Sequence, residues 1–285
     1  MKNKGQKSDS PQLYCDTMIQ NHVEISPSQS EYIARYKRKK HIVLCVQIFI
    51  FVQFVIMWEV LTYFQIINPF IFSSPSRIIK TFKELLLDGS LFYHTRITLF
   101  ETFVSFALVN FIGLLFAVLL WWNDWVARIL DPYFVVLNSL PKTALAPLFI
   151  VWLGNNMKTI LVAAVSVAVF GTILTLYHSF LETEPDKIKL IKTFGGGKKD
   201  ILFRVVIPAN LPAFLSLMKV NIGLSLVGVI IGEFLAAKSG LGYLIIYGEQ
   251  VFKLDLVLLS IVILCLVATL LYKILSIFEK KVTGR

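Results

Sequence analysis

Long apolar runs recur along this chain, and they constrain its fold more than any other feature. The first covers Ile42 to Phe64 and follows at once on a basic cluster of Arg35, Lys37, Arg38, Lys39 and Lys40. At ~1.5 Å rise per residue, a helix of that length crosses a hydrocarbon core ~30 Å thick. Further spans are expected at 97–122, 131–153, 158–178, 213–236 and 254–277, which makes six. Hydrocarbon offers no hydrogen bonds, so only helices and closed barrels can cross it, and long uninterrupted apolar runs select the helix. Composition agrees: 56% of the 285 residues are hydrophobic and 16% are charged, more apolar surface than a soluble domain can hide. The expected fold class is all-α, a polytopic membrane helical bundle of about six transmembrane helices.

Charge sets the orientation. The net charge of +10 does not indicate nucleic acid, because the basic residues flank apolar spans, where they act as topology signals. With the cluster before span 1 in the cytoplasm, six spans return Lys280, Lys281 and Arg285 to the same side. Both termini are then cytoplasmic in a multi-pass protein of the cell membrane, and the lipid bilayer is its surrounding partner. Residues 1–41 are polar and are expected to form a poorly ordered cytoplasmic tail, not a secretory signal, with a transmembrane domain at 42–285. The segment 65–96 falls outside despite Arg77, Lys80, Lys83 and Arg96, and Ser76 to Leu87 is patterned as an amphipathic surface helix. The third span is broken in pattern by Pro141 and Pro147, with Lys142 between them.

One polar insert, residues 182–212, interrupts the apolar pattern on the cytoplasmic side. Pro185 suits a first helical turn, and Ile188, Ile191 and Phe194 recur on one face of a short helix over Pro185 to Phe194. Gly195, Gly196 and Gly197 permit a reversal, and a second helix from Lys198 to Val206 is expected to end near Pro208. Exposed apolar knobs in a basic surround read as a plug for a groove on a partner. The competing reading is a connecting loop packed on its own bundle.

The spacing of Gly195, nine residues, Val205, one residue, then Ile207-Pro208 resembles the cytoplasmic loop of ABC importer permeases: Glu-Ala-Ala, three residues, Gly, nine residues, Ile, one residue, Leu-Pro. Lys189, Leu190 and Ile191 stand where that pattern has Glu-Ala-Ala. Further blocks resemble the nitrate/sulfonate/taurine-type branch. They are Leu130-Asp131-Pro132, Leu140 through Phe149, Trp152-Leu153-Gly154, Gly232-Glu233-Phe234-Leu235 and Ser239 through Ile245. The similarity runs from about residue 75 to the C-terminus.

The resemblance implies that the insert is a cytoplasmic coupling helix seated in an ABC ATPase subunit, with Ile188, Ile191, Phe194, Gly195, Gly196 and Pro208 as its coupling residues. It implies a permease subunit of an ATP-driven importer, pairing with a second permease copy as a homodimer. The solute would be small and anionic or zwitterionic, nitrate-, sulfonate- or taurine-like, and delivered by an extracytoplasmic solute-binding protein. Related branches are associated with thiamine-precursor pyrimidines.

No cofactor is expected on this chain, because Gly195-Gly196-Gly197-Lys198 lacks the phosphate-loop spacing, and ATP would be used by the partner subunit. His22, His41, His94 and His178 are scattered, and Cys15, Cys45 and Cys265 form no metal or disulfide pattern, so neither an enzyme nor a metal site is expected. Charges within spans need a reason. Glu59 and Glu101 lie toward span ends, within reach of water. Lys142 and Glu233 are candidates for lining the pathway; the competing readings are that Lys142 snorkels to the cytoplasmic interface and that Glu233 merely marks the water boundary. Gly228 and Gly232 form a G-x-x-x-G for close helix packing, within the bundle or across a dimer seam. The alternative function is an ion-coupled secondary transporter, which would need a coupling-ion site and usually carries inverted repeats, of which the two halves show no convincing trace.

Overall fold

The computed structural model describes residues 27–283 and comprises two units, 1–66 and 67–285. In the first, α1 (Pro27–Tyr63) carries the apolar stretch His41–Tyr63. Helix therefore occupies 27–41, part of the segment expected to be a tail, while residues 1–26 lie outside the described residues. Near its end Thr62 folds its hydroxyl back onto the carbonyls of Trp58 and Glu59, at 2.7 and 2.9 Å.

The second unit contains α2 (Pro69–Phe72), α3 (Pro75–Leu87), α4 (Ser90–Trp122), α5 (Asp124–Ser139), α6 (Lys142–Leu153) and α7 (Met157–Leu181). Next come α8 (Pro185–Thr193), α9 (Lys198–Ile201), a π-helical segment (Leu202–Val206), α10 (Ile207–Ala236), α11 (Leu241–Gln250) and α12 (Leu254–Thr283). No strand occurs among the described residues. Among the described residues, five continuous stretches are long and apolar enough to cross a membrane.

The third expected span is not one helix. Instead of one span at 131–153, α5 and α6 meet at a bend of 97°. Pro141 disfavours helical geometry in the residue before it, and Leu140 is extended, with ψ of 141°. The break leaves the last carbonyls of α5 without helical partners, and Lys142 Nζ donates to one of them, Asn138.

Helix α7 is the hub, packed most extensively against α10 and α4. The G-x-x-x-G is consumed here: a Cβ at Gly228 would stand 2.6 Å from Ala164 Cα, and one at Gly232 would stand 2.8 Å from Ile160 Cα. The two backbones can approach this closely only because α10 carries no side chain at these positions. A buried polar chain fixes the register of the three helices. Asn221 donates to Asn110 at 2.9 Å and accepts from Thr172 at 3.1 Å, and Asn110 in turn donates to the Phe106 carbonyl. Amphipathic α3 forms as expected, capped by Ser74, and it is tied to the start of α12 through Ser73 and Arg77, both bound to Asp255.

Candidate functional site

Two polar constructions stand at opposite ends of the bundle. At the first, α7 runs out at Leu181 and the insert begins. Helix α8 starts on Pro185 as expected and stops at Thr193. Gly195 has φ of +79°, a left-handed conformation that glycine adopts without strain, and this turns the chain back. At Gly196 the constraint is space, since a Cβ would meet the Ile191 carbonyl oxygen at 2.9 Å. The second short helix does not end near Pro208. It widens into the π-helical segment, where the Ile207 N–H reaches back to the Leu202 carbonyl, and continues through Pro208 into α10. Proline has no N–H and crowds the carbonyl four residues earlier, so the wider turn lets the helix pass it without breaking.

Sequence periodicity placed Ile188, Ile191 and Phe194 on one outward face; the structure divides them. Ile188 and Ile191 are half-buried against a cluster of Ala117, Leu176, Phe180, Ile201, Leu202 and Val206. They anchor the insert to its own bundle, because the amphipathic helix has that greasy surface directly beneath it. Phe194 is 80% exposed, and Leu190, one helical turn before it, is 56% exposed. Leu190 was missed as an outward residue. Its i, i+4 relation to Phe194 was the available signal. The charges around them are spent locally and at the surface: Lys187 on Glu184 at 3.0 Å, Lys189 on Asp186 at 3.1 Å and Arg204 on Asp200 at 3.6 Å. Lys198 reaches the Trp122 carbonyl at the end of α4, at 3.1 Å.

At the other end, Glu233, expected as a pathway candidate, is 1% exposed and is turned into the fold. Its carboxylate accepts from Thr98 Oγ1 at 2.6 Å and from the Gly242 N–H at 2.5 Å, with the Tyr243 N–H as a further donor. Those amides open α11, so Glu233 of α10 caps a helix that follows it in the chain, with its carboxyl oxygens at the positive end of the helix dipole. Thr98 Oγ1 also accepts from the Leu241 N–H at 2.8 Å, and His94 Nδ1 accepts from the Gly240 N–H at 3.0 Å. Gly240 has φ of +119°, so the turn tolerates no other residue there without strain. The two blocks Gly232–Leu235 and Ser239–Ile245 are thus one knot in space.

Lys142 is bound to the broken end of α5 and is not drawn to any acidic partner among the described residues. No group of three or more His, Cys, Asp or Glu could hold a metal ion among the described residues.

The described helices define an all-α polytopic membrane bundle. Residues 109–284 match the family described as the binding-protein-dependent transport system inner membrane component, and the chain belongs to that family. It is 30% identical over 194 residues to the formylaminopyrimidine transport permease protein of Halalkalibacterium halodurans, covering 68% of this chain and 76% of that one. It is 21% identical over 234 residues to the taurine transport system permease protein of Escherichia coli, covering 80% and 84%. Its fold is similar to that of an inward-facing MetNI methionine ABC transporter chain, with a TM-score of 0.60 at 20% identity over 69% of this chain and 97% of that chain.

Proposed function

We propose that this permease works as a pair with a second copy, that separate ATPase subunits dock on the two inserts, and that a solute-binding protein delivers the cargo on the opposite face. The termini and the insert are cytoplasmic in this reading. ATP binding draws the ATPases together, and the inserts carry that motion into the bundle. Ile188 and Ile191 would pass it to the ends of α4 and α7. Continuity of helix from Lys198 to Ala236 would pass it to α10. Hydrolysis on the partner resets the cycle.

The observation that carries the reading is the division of the insert: one apolar side is docked, and the other leaves Leu190 and Phe194 bare among exposed ion pairs. A loop that merely connected two spans has no use for an exposed phenylalanine next to a tight glycine turn. The cargo is a small anionic or zwitterionic solute of the sulfonate or taurine kind. Support comes from the similarity to a taurine permease, while the pyrimidine relative extends the candidates to heteroaromatic solutes.

Co-purification tests the docking. Deletion of residues 186–200, or Gly195→Pro, is expected to abolish retention of the cognate ATPase while the chain still inserts in the membrane. Retention of the ATPase by both variants would sink the assignment. Uptake that persists without ATP but collapses with the ion gradient would instead support an ion-coupled carrier.

A further inference from the structure

The knot at the far end contains a carboxyl that the capping scheme does not explain. Glu101 of α4 is 4% exposed, and its carboxyl is in hydrogen-bonding contact with that of Glu233. A carboxylate can only accept hydrogen bonds. Glu233 receives its bonds from Thr98 and from the backbone of α11, so it is already arranged as the anion. Glu101 Oε2 is buried and receives no hydrogen bond from the protein. Two acceptors in contact, out of water, repel unless something positive lies between them.

The neighbouring charges do not supply it. Arg96 of α4 and Lys238 of the turn each share a cavity with Glu101, yet neither forms an ion pair with it among the described residues. His94 is engaged through Nδ1 as an acceptor, and Tyr93 and Tyr243 face it as rings. At and just before the start of α7, Asn155, Asn156 and Met157 line these cavities and carry no charge, and Lys158 of its first turn lines neither. Glu101 borders two cavities of about 370 and 220 Å³, so water can reach it from the end of the bundle opposite the insert.

We propose that Glu101 and Glu233 bind a single proton between them, held on Glu101 Oε2 and donated to the Glu233 carboxylate. The proton comes from water in the adjoining cavities and returns there; one O–H bond forms and breaks, and nothing is oxidised or reduced. Its departure leaves two anions in contact beneath the 237–243 turn, which drives Glu101 toward the cavities and loosens the cap on α11. The site makes the solute-facing end of the bundle responsive to protons, whatever the insert binds.

Infrared spectroscopy of the purified full chain in lipid nanodiscs tests this. At neutral pH the wild type is expected to show a carboxylic-acid C=O stretch that shifts in D₂O. Glu101→Gln should lose that band while keeping the wild-type unfolding temperature, because its amide N–H donates the same hydrogen bond to Glu233 without a proton to titrate. Asp131→Asn, which removes another carboxyl that has one buried, orphaned oxygen, should leave the band in place. A band unchanged by Glu101→Gln would overturn the proposal. So would wild-type stability that rises with NaCl over choline chloride and loses this dependence in Glu101→Gln, because the positive species would then be a metal cation. If Glu101→Gln does not accumulate, the other two spectra decide: a band in both supports the pair, and a band in neither overturns it.

Discussion

The two ends of the bundle use polar residues in opposite ways. At the insert, ion pairs span three or four residues, lie at the surface and enclose bare apolar side chains. At the far turn, Thr98 and His94 of α4 bond Glu233 and the amides of Gly240 and Leu241, more than a hundred residues away and inside the fold. Exposed pairs of the first kind contribute about 0–1 kcal/mol each. A buried carboxylate of the second kind secures several backbone donors at once. The insert keeps its chemistry available for something outside the chain, whereas the far turn spends its chemistry on holding three helices and a loop together.

Four substitutions can break or sharpen that contrast. Glu233→Ala should be the most damaging. It leaves the Thr98 hydroxyl and the opening amides of α11 buried without an acceptor, a loss of about 3–5 kcal/mol, seen as a lower unfolding midpoint in detergent. Gly232→Val drives a branched side chain into the Ile160 backbone and should cost about 1–3 kcal/mol in the same assay. Phe194→Ser should leave stability within about 0.5 kcal/mol yet release the ATPase in co-purification, which separates docking from folding.

The smallest effect concerns acid. Asp88 accepts from the Ser90 hydroxyl and amide at the start of α4, and these bonds hold its carboxyl below the usual value of 3.8. A depressed value in the folded state contributes stability above the ordinary carboxylate value and loses it as pH falls through the depressed one. Ser90→Ala removes the hydroxyl donor, so the variant should lose less stability than the wild type on acidification below pH about 4, as read by unfolding midpoints across an acid titration.

Much of the architecture was legible from residue order because spans are long, local and apolar. The bend between α5 and α6 was visible as Pro141 but not as an angle, since proline dictates a break and the neighbours dictate where the chain goes next. Ile188, Ile191 and Phe194 show the limit of periodicity. Spacing groups residues on a face but cannot say whether that face meets its own bundle or the solvent, which depended on Leu176 and Phe180 in α7. Glu233 shows a related limit. A carboxylate in an apolar helix needs a partner, and the partner nearest in sequence was water at the span end. The actual donors, Thr98 and Gly242, are brought to it only by the tertiary fold.

The unbroken helix from Lys198 to Ala236 has 39 residues and is therefore about 58 Å long, close to twice the thickness of a hydrocarbon core. It is a lever arm. A pivot of about 5° at its Gly232 contact with α7 sweeps the insert end through several ångströms, about the rise of one helical turn. Small rotations beside the far turn become large excursions at Lys198, where the Gly195–Gly197 turn joins the insert to this helix.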